Sequence, residues 1–381
     1  MPVRAQARVN LAAIERNCAR LRSALAPRVE DGRVPELCAV VKADGYGHGA
    51  APSARAALAG GATWLAVATA HEAADLRDAG VRARVLVMGA LTPEELELAV
   101  RCDADVVAWR EGFVGRIRAD GTEPVRVHVK LDSGMGRLGT RDPAEALRVA
   151  EAVAAAPGLE LSGLMTHLAT ADERDDEFFG EQLERFGAWV GEMRGRYPGL
   201  VVHAANSAAT LRDPSSHFDL VRCGVGIYGL DPFGEDPAER ELEPALELRS
   251  WAADVKRFGP GDSAGYGRRF LAARETHLAV LPIGYGDGWR RALTNNADVL
   301  IRGRRHPLVG TVSMDNVTVD VGSPPGAHWG DDAILIGADG AERITAEEIA
   351  RRLNTINYEV TCALLPRVPR AYHRDGLPAN P

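Results

Sequence analysis

The stretch LCAVVKADGYGHGA, residues 37–50, contains an apolar run that ends on a lysine and is followed by a series of glycines. Five consecutive apolar residues are typical of a strand buried on both faces, as in a parallel sheet. Lysine is uncommon there because its ammonium must lose water or extend to the surface. Lys42 is therefore either a solvated strand end before a glycine turn or a reactive amine at the sheet edge.

Similar apolar runs recur seven more times before residue 230, with helical patterns between them. Apolar strands that alternate with helices predict a parallel sheet covered on both faces. An open doubly wound sheet has the same local pattern, but eight units favour a closed (β/α)8 TIM barrel in an α/β chain. The predicted strands are residues 37–43, 64–69, 83–89, 104–109, 125–132, 161–167, 200–206 and 220–226.

The pattern changes after about residue 235, where apolar segments joined by Gly, Pro and Asp turns predict β-strands in place of helices. The one clear helical pattern in this part is TAEEIARRLN, residues 345–354. Thr345 and Glu348 have the spacing of a capping box at its start. We therefore expect a mainly-β domain that carries a single clear helix.

A chain of 381 residues is too long for one ordinary hydrophobic core, so two domains are expected. The segment 229–244 is rich in Pro, Gly and acidic residues, as a domain boundary would be. We predict a (β/α)8 barrel over residues 11–235 and a C-terminal mainly-β domain over 236–381 that also includes 1–10.

Composition excludes several classes of protein. The net charge is −8 and no basic tract stands out, so nucleic acid is not expected as a partner. The amino terminus lacks the apolar core of a signal peptide, and no window approaches the ~18 apolar residues of a membrane span. Five cysteines without a C-x-x-C pair suggest neither a disulfide framework nor a zinc site. We expect a cytoplasmic protein without a metal and without a membrane partner.

Polar residues follow five of the eight predicted strands. In a (β/α) barrel the catalytic side chains lie at the carboxyl ends of the strands. A single residue of this kind would more often be a structural histidine or a helix cap. Five such strand ends together favour an active site. The residues are Lys42, Lys130 with Asp132, His167, Asn206 with Ser207, and Arg222 with Gly224.

The segment RCGVGIYG, residues 222–229, suggests the ligand. Its glycine-spaced backbone N–H groups can bind an anion, and Ser207 can add a hydroxyl. No G-x-x-x-x-G-K-[ST] motif is present, so a nucleotide P-loop is not expected. A phosphate site in a barrel whose first strand ends on a lysine is typical of a pyridoxal-phosphate enzyme, in which the lysine binds the cofactor covalently.

Nine segments carry a resemblance to a known family: AVVKADGYGHG (39–49), KLDSGMGRLG (130–139), MTHLATAD (165–172), HAANSAAT (203–210), RCGVGIYG (222–229), GYGRRF (265–270), IGYGDGW (283–289), GTVSMDN (310–316) and NYEV (357–360). Over nearly its whole length the chain resembles bacterial alanine racemases, the fold-type III pyridoxal-phosphate enzymes. The resemblance implies racemisation of alanine with pyridoxal 5'-phosphate, a supply of D-alanine for peptidoglycan, and a head-to-tail homodimer with shared active sites.

The resemblance also implies roles for residues at the cofactor. Lys42 corresponds to the lysine that holds it, and Arg222 to the arginine that faces the pyridine nitrogen, with His203 behind it. The other cofactor-binding positions that it implies are Tyr46, His167, Asn206, Ser207, Gly224, Val225 and Tyr358.

Racemisation removes the α-proton from one face of the substrate and returns a proton to the other, so each face needs an acid/base group. The resemblance implies Lys42 on one face and, on the other, Tyr266 of the partner subunit, with His167 as its hydrogen-bonded neighbour. It implies that Arg137 and Met314 bind the substrate. The supporting positions that it implies are Lys130 as a possible carbamate, His203, Tyr285 and Asp315.

The segment GTVSMD departs from the family pattern at two positions. Thr311 and Ser313 stand in GTVSMD, where many members have GRVCMD. Thr311 lies near the expected substrate entrance, so the lost arginine leaves the range of amino acids open.

Several alternatives follow from the same residues. One is a racemase of broader or different amino-acid scope. A decarboxylase of the same fold type would be expected to place an acid, not Arg222, opposite the pyridine nitrogen. A non-catalytic pyridoxal-phosphate carrier would end near residue 230. Lys130 and Asp132 could also form a plain surface ion pair.

Overall fold

The structure is a computed structural model of the chain, and it describes residues 3–28, 31–119 and 123–379. The chain divides into two compact units. One unit is Ile14–Ile227, and the other combines Met1–Ala13 with Tyr228–Pro381. The boundaries of the two folding domains predicted from the sequence, 11–235 and 236–381 with 1–10, stay a prediction.

The first unit contains the predicted barrel of eight parallel strands. After β1 (Gln6–Asn10), which belongs to the second unit, these strands are β2 (Glu36–Val40), β3 (Trp64–Val67), β4 (Arg84–Val87), β5 (Ala104–Ala108), β6 (Val125–Lys130), β7 (Leu159–Met165), β8 (Val201–His203) and β9 (Leu220–Cys223). Each strand from β2 to β7 pairs in parallel with the next, and β9 pairs in parallel with β2. The barrel prediction is confirmed.

Backbone hydrogen bonds close the ring between β8 and β9. The Asp219 N–H donates to the Val202 carbonyl and the Arg222 N–H to the Ala205 carbonyl, each at 2.9 Å. The strands are almost wholly buried, because helices cover the outer face and side chains fill the interior. A few polar side chains interrupt this apolar interior: Asp105, His128, Lys130, His203 and Arg222.

Helices connect the barrel strands, and the sequence contains the signals that start several of them. Thr69 and Thr92 each cap a helix through a capping box, with Glu72 and Glu95 as the reciprocal partners. The helices are α1 (Leu11–Ser23), α2 (Lys42–Tyr46), α3 (Ala50–Ala59), α4 (Ala70–Asp78), α5 (Pro93–Arg101), α6 (Glu111–Val114), α7 (Pro143–Ala155), α8 (Phe178–Arg196) and α9 (Ser207–Arg212). The short α2 contains left-handed backbone.

The second unit is built on a sheet of eleven strands in the described chain, as predicted for a mainly-β domain. Besides β1, its strands are β10 (Leu246–Trp251), β11 (Asp254–Phe258), the pair β12 (Ser263–Ala264) and β13 (Phe270–Leu271), β14 (Thr276–Leu281), β15 (Asp298–Ile301), β16 (Arg304–Val309), β17 (Val317–Gly322), β18 (Asp332–Asp339), β19 (Glu342–Ile344), β20 (Arg370–Arg374) and β21 (Leu377–Pro378). The order is β11-β14-β17-β16-β15-β18-β10-β1-β20-β21, β19 pairs with β18, and β12 and β13 form a separate two-stranded sheet.

The second unit has two helices among the described residues, α10 (Ala346–Leu353) and α11 (Asn357–Cys362). The first is the predicted helix, and the Thr345 side chain accepts from the Glu348 N–H at its start. The expectation of a single clear helix was wrong, because the six residues of α11 include β-branched Val360 and Thr361, which favour strands over helices. Over residues 3–28, 31–119 and 123–379, no helix has the length and apolar character needed to cross a membrane.

Candidate active site

Lys42 lies two residues beyond the carboxyl end of β2, at the mouth of the barrel. The backbone that follows it is left-handed at four successive residues, with φ values from 52° to 60°. This conformation is strained for residues that carry a Cβ, so it persists only where neighbouring contacts enforce it. The four residues are Ala43, Asp44, Gly45 and Tyr46.

Two hydrogen bonds hold this strained turn. The Ala43 N–H donates to Glu72 Oε1 at 2.6 Å, and the Ala50 N–H donates to Asp44 Oδ1 at 3.1 Å. Glu72 is also the capping-box residue of the neighbouring α4. The start of α4 therefore fixes the position of the chain directly after Lys42.

A second group of residues lies at the carboxyl ends of β8 and β9. The N–H groups of Gly224 and Gly226 donate to Ser207 Oγ at 3.1 and 3.2 Å. A Cβ on Gly224 would lie 2.3 Å from the Tyr46 hydroxyl oxygen, so only glycine allows this ring to approach. The glycine N–H groups already have an acceptor. The hydroxyls of Ser207 and Tyr46 lie beside these N–H groups, so both kinds of donor could bind an anion here.

Two other residues predicted at the cofactor have structural positions nearby. Asn206 Oδ1 accepts from the Ala209 N–H at 2.9 Å and caps α9, which orients Ser207 at the first position of that helix. Val225 is buried and begins the 3₁₀ turn Val225–Tyr228.

Arg222 is the central cation of the mouth, and only 3% of its surface is exposed. Its Nη1 donates to His203 Nδ1 at 2.9 Å. Its Nη2 donates to the carbonyl oxygens of Thr166 and Ala204 at 2.9 and 3.0 Å, and contacts His167 Nδ1 at 3.3 Å. All four acceptors are uncharged. Burial lowers the pKa of Arg222 to about 10, so the guanidinium stays protonated at neutral pH.

The two histidines that contact Arg222 are held neutral. Burial, and then the charge of Arg222, place the pKa values of His167 and His203 well below the ordinary histidine value. Because an arginine only donates, the Nδ1 of His203 must accept from Arg222 Nη1. The proton of the His203 ring is therefore on Nε2.

Two side chains that the sequence analysis missed continue this network into the barrel interior. His203 Nε2 lies 2.8 Å from His128 Nδ1, and His128 Nε2 lies 2.9 Å from Asp105 Oδ2. His128 stands two residues before Lys130 in β6, and residues i and i+2 of a strand share a face. That spacing, and the acid inside the apolar ADVVAW segment, are signals that could have identified both residues.

Lys130 ends β6 and is 4% exposed, so a surface ion pair is excluded. Burial and the positive charges of Arg222, Arg137 and Lys42 lower the pKa of Lys130 to about 8, against the opposing effect of Asp132. Three other cations thus act on Lys130 at the mouth of the barrel. An anionic ligand would relieve their mutual repulsion.

Asp132 is buried as well, and it organises the loop that carries Arg137. Its Oδ1 accepts from the N–H groups of Gly134 and Gly136 at 3.0 and 3.1 Å, and its Oδ2 accepts from the Arg137 N–H at 3.2 Å. Arg137 itself is exposed. Its backbone is fixed, and its side chain extends into solvent.

The second unit contains the other predicted residues on an exposed surface. Tyr266, Met314 and Tyr285 are 74%, 51% and 40% exposed, and we call these three residues the tyrosine patch. Backbone contacts connect the loops beneath it. The Tyr285 N–H donates to the Ser313 carbonyl at 3.0 Å, and the Thr311 hydroxyl donates to the Tyr266 carbonyl at 2.6 Å.

Ion pairs support the same loops. Asp315 Oδ1 accepts from Arg367 Nη2 at 2.6 Å and from Arg4 Nη2 at 3.3 Å. Arg4 Nη1 and Arg367 Nε also contact buried Asp287, at 2.6 and 2.9 Å. Tyr358 lies in α11 and is half-buried. No group of three or more His, Cys, Asp or Glu side chains in the described part of the chain could hold a metal ion.

Known proteins match both units. Residues 9–232 match the family model of the alanine racemase N-terminal domain, and residues 245–372 match that of the alanine racemase C-terminal domain. An alanine racemase from Symbiobacterium thermophilum is 43% identical over 346 residues, which cover 89% of this chain and 91% of that protein.

Solved structures agree with these relatives. The alanine racemase from D-cycloserine producing Streptomyces lavendulae has a TM-score of 0.90 and 37% identity, and the match covers 98% of each chain. The alanine racemase from Bacillus anthracis, with bound L-Ala-P, has a TM-score of 0.89 and 36% identity, and the match covers 100% of this chain and 97% of that one.

Proposed function

The chain belongs to the alanine racemase family and is an isomerase, and on this premise we propose that it interconverts L-alanine and D-alanine with pyridoxal 5'-phosphate. We further propose that it supplies D-alanine for peptidoglycan in the cytoplasm. The single observation that carries the proposal is the barrel mouth, where the charges of Arg222, Arg137 and Lys42 act on the buried Lys130.

The side chains of the mouth fit this cofactor. A phosphate needs hydrogen-bond donors, and the hydroxyls of Ser207 and Tyr46 lie around a glycine position that a Cβ would fill. A covalent bond to an aldehyde needs an amine, which Lys42 has at the strand end. Arg222 would face the ring nitrogen. The remaining positions proposed for the cofactor are His167, Asn206, Gly224, Val225 and Tyr358.

Pyridoxal phosphate, when bound, supplies a conjugated ring that withdraws electrons from the substrate Cα. Arg222 would donate a hydrogen bond to the ring nitrogen without transferring its proton, because its pKa of about 10 lies well above neutral pH. An unprotonated ring nitrogen withdraws electrons less strongly. Arg222 would thereby disfavour protonation of the cofactor carbon, the step that leads to transamination.

Two bases would move the α-proton. Lys42 Nζ would serve one face of Cα, and the hydroxyl oxygen of Tyr266 of the partner subunit would serve the other. The large exposed fraction of Tyr266 supports contact with a second copy. A head-to-tail dimer with twofold symmetry would form two equivalent sites. Arg137 would bind the substrate carboxylate, together with Met314 of the partner subunit.

The surroundings of Arg222 argue against a decarboxylase. A decarboxylase of this fold type would be expected to place an acid opposite the pyridine nitrogen, whereas the contacts here orient a cation. The second unit, with its tyrosine patch, argues against a non-catalytic carrier. A racemase of broader scope remains as the second candidate, because Thr311 is far smaller than the arginine of many family members. A panel of L-amino acids, each followed for loss of optical rotation, separates these scopes.

The test of the cofactor site is chemical. Borohydride reduction followed by peptide mapping is expected to place the pyridoxyl group on Lys42. Lys130, the nearby buried lysine with a lowered pKa, is the internal control. A label on Lys130 in place of Lys42 would contradict the assignment.

A further inference from the structure

We propose that Asp105 is a remote positioning residue for Arg222, which it orients through His128 and His203. The hydrogen-bond chain is a property of the barrel alone. Only its consequence for catalysis rests on the proposed function.

The four side chains form one continuous chain of hydrogen bonds. Arg222 Nη1 to His203 Nδ1 measures 2.9 Å, His203 Nε2 to His128 Nδ1 measures 2.8 Å, and His128 Nε2 to Asp105 Oδ2 measures 2.9 Å. Each of the four residues is at most 3% exposed. Both nitrogens of each ring are hydrogen-bonded. In a neutral imidazole one nitrogen donates and the other accepts, so the partner on one side of the ring sets the role of the nitrogen on the other side.

The chemistry of the two ends decides where every proton lies. Arg222 can only donate, so His203 Nδ1 accepts and His203 Nε2 carries a proton. That proton is donated to His128 Nδ1, which leaves the His128 proton on Nε2, directed at Asp105. Although burial raises the pKa of Asp105, hydrogen bonds from His128 and Arg84 outweigh it and hold the carboxyl ionised. An ionised carboxylate can only accept, so both ends require the same direction.

Asp105 is itself held rigidly. Arg84 Nη2 donates to its Oδ2 at 2.7 Å and Arg126 Nε to its Oδ1 at 2.7 Å. The Arg84 guanidinium lies 3.9 Å from the ring centroid of Trp64. Two arginines and one imidazole thus donate to one carboxylate, which cannot rotate without breaking an ionic contact. Asp105, the fixed end of the hydrogen-bond chain, lies near the amino ends of the strands. Arg222, the end that it orients, lies at the mouth of the barrel.

The direction matters because Arg222 contacts no carboxylate of residues 3–28, 31–119 and 123–379. A buried cation with only neutral partners is oriented by the dipoles of those partners. Reversal of the two imidazoles would place an N–H opposite the Arg222 Nη1 donor. The guanidinium would then have to move, and with it the group that we place against the cofactor ring.

The variant Asp105→Asn tests this directly. Its side chain has one oxygen in place of the two that accept from Arg84, Arg126 and His128. The amide NH2 faces Arg126 in one orientation of the side chain and His128 Nε2 in the other, and the second orientation favours reversal of the hydrogen-bond chain. The readout is the nitrogen that carries the proton in each ring, measured by nitrogen NMR of the full chain as purified, with histidines labelled with 15N. We assign the signals of the two rings with variants of His128 and His203.

In the unaltered chain we expect protons only on Nε2 of His128 and His203. In Asp105→Asn we expect a measurable fraction of His203 with its proton on Nδ1. The matched control is Asp103→Asn, which removes an exposed carboxylate from the same Arg126 and touches neither ring. An unchanged His203 in Asp105→Asn would overturn the proposal, as would a change of equal size in the control.

A second variant covers the case in which Asp105→Asn does not fold. His128→Asn breaks the link to Asp105 and presents an amide that can offer either an oxygen or an N–H to His203. A mixed protonation pattern in His203 is expected, and a single Nε2–H form would overturn the proposal. This readout does not depend on racemase activity, so failure of the proposed function leaves it intact.

Catalysis supplies a separate measure. Asp105→Asn is expected to lower kcat roughly tenfold and to leave KM for alanine within about twofold. A tenfold loss is the lower end of the cost of losing a hydrogen-bond partner outside the site itself. Asp103→Asn is expected to leave both unchanged. A loss of thermal stability in Asp105→Asn with unaltered kcat would reduce Asp105 to a structural role and overturn the proposal.

Discussion

The barrel mouth and the tyrosine patch hold their polar side chains in opposite ways. At the mouth, Arg222 and Lys130 are almost completely buried, and the barrel's own groups orient Arg222. In the patch, Tyr266 and Met314 are more than half exposed, and the contacts that hold them act on the backbone. It follows that the groups of the mouth are oriented for a ligand by contacts within their own chain. The patch has organised loops whose side chains are available to another molecule.

The largest expected effect tests whether that other molecule is a second copy of the chain. Lys42→Ala and Tyr266→Phe should each lower kcat by about 10³-fold or more, because each removes one acid/base group. After subunits are mixed and reassorted, half of the dimers are heterodimers with one intact site of two. Activity should therefore recover to about a quarter of the unaltered level.

The mixing experiment is read as racemase activity before and after exchange, with heterodimers quantified through two different affinity tags. The two variants measured unmixed are the control. If heterodimers form and activity does not return, each site is built within one chain. The tyrosine patch would then have no role in the partner's site.

The next effect concerns the central cation of the mouth. Arg222→Glu should lower racemisation by about 10²-fold, the cost of losing one preorganised donor, and should raise the fraction of turnovers that end in pyridoxamine phosphate. Arg222→Lys keeps a cation and serves as the control, with little of that by-product expected. Chromatography of the released cofactor measures it. Loss of activity without the by-product would leave Arg222 with a structural role only.

A smaller effect is expected from Lys130, for which we predict a carbamate beside Arg137. Carbon dioxide adds only to the neutral amine, and the pKa of Lys130 is lowered to about 8. Carbamate occupancy should therefore rise as the pH rises through about 8. Carbon NMR with 13C-bicarbonate should show the carbamate signal, and Lys130→Arg should abolish it. The same variant should lower kcat about tenfold, because it loses one charged hydrogen bond. A bare ammonium in crystals grown with bicarbonate would contradict the carbamate.

The smallest effect tests how firmly the patch is held. Thr311→Val removes the hydrogen bond to the Tyr266 carbonyl, worth about 1 kcal/mol, so we expect about a fivefold lower kcat. Faster hydrogen exchange of the amides in residues 265–268 should accompany it. Thr311→Ser keeps the hydroxyl and should behave like the unaltered chain. Equal exchange in the valine and serine variants would show that Thr311 does not position Tyr266.

The elements were predictable to the extent that their local signals are strong. All eight barrel strands and the helix capped by Thr345 appear where apolar periodicity and capping residues place them. The short α11 was missed because six residues with two β-branched side chains have no strong helical signal. Of the candidate site, the sequence indicated the strand ends, including Lys42 and Arg222, because the barrel brings carboxyl ends together.

The rest of the site depends on distances between strands that are far apart in the chain. His128 and Asp105 were missed because a histidine or an acid inside an apolar strand can face a helix as readily as the interior. The hydroxyl bond from Thr311 to the Tyr266 carbonyl joins residues 45 positions apart, and no local pattern encodes it. The same holds for the acceptor that Ser207 provides to the two glycine N–H groups.

Period, propensity and spacing are enough to predict the repeated strands, the change to β-structure after the barrel, and the residue types at the strand ends. The folded barrel is needed to establish which of those residues touch, which nitrogens of the histidines carry protons, and that Arg222 stays charged with no carboxylate beside it in the described part of the chain. These features depend on burial and on hydrogen bonds across the barrel. The closed ring of strands alone brings such partners within 3 Å of one another.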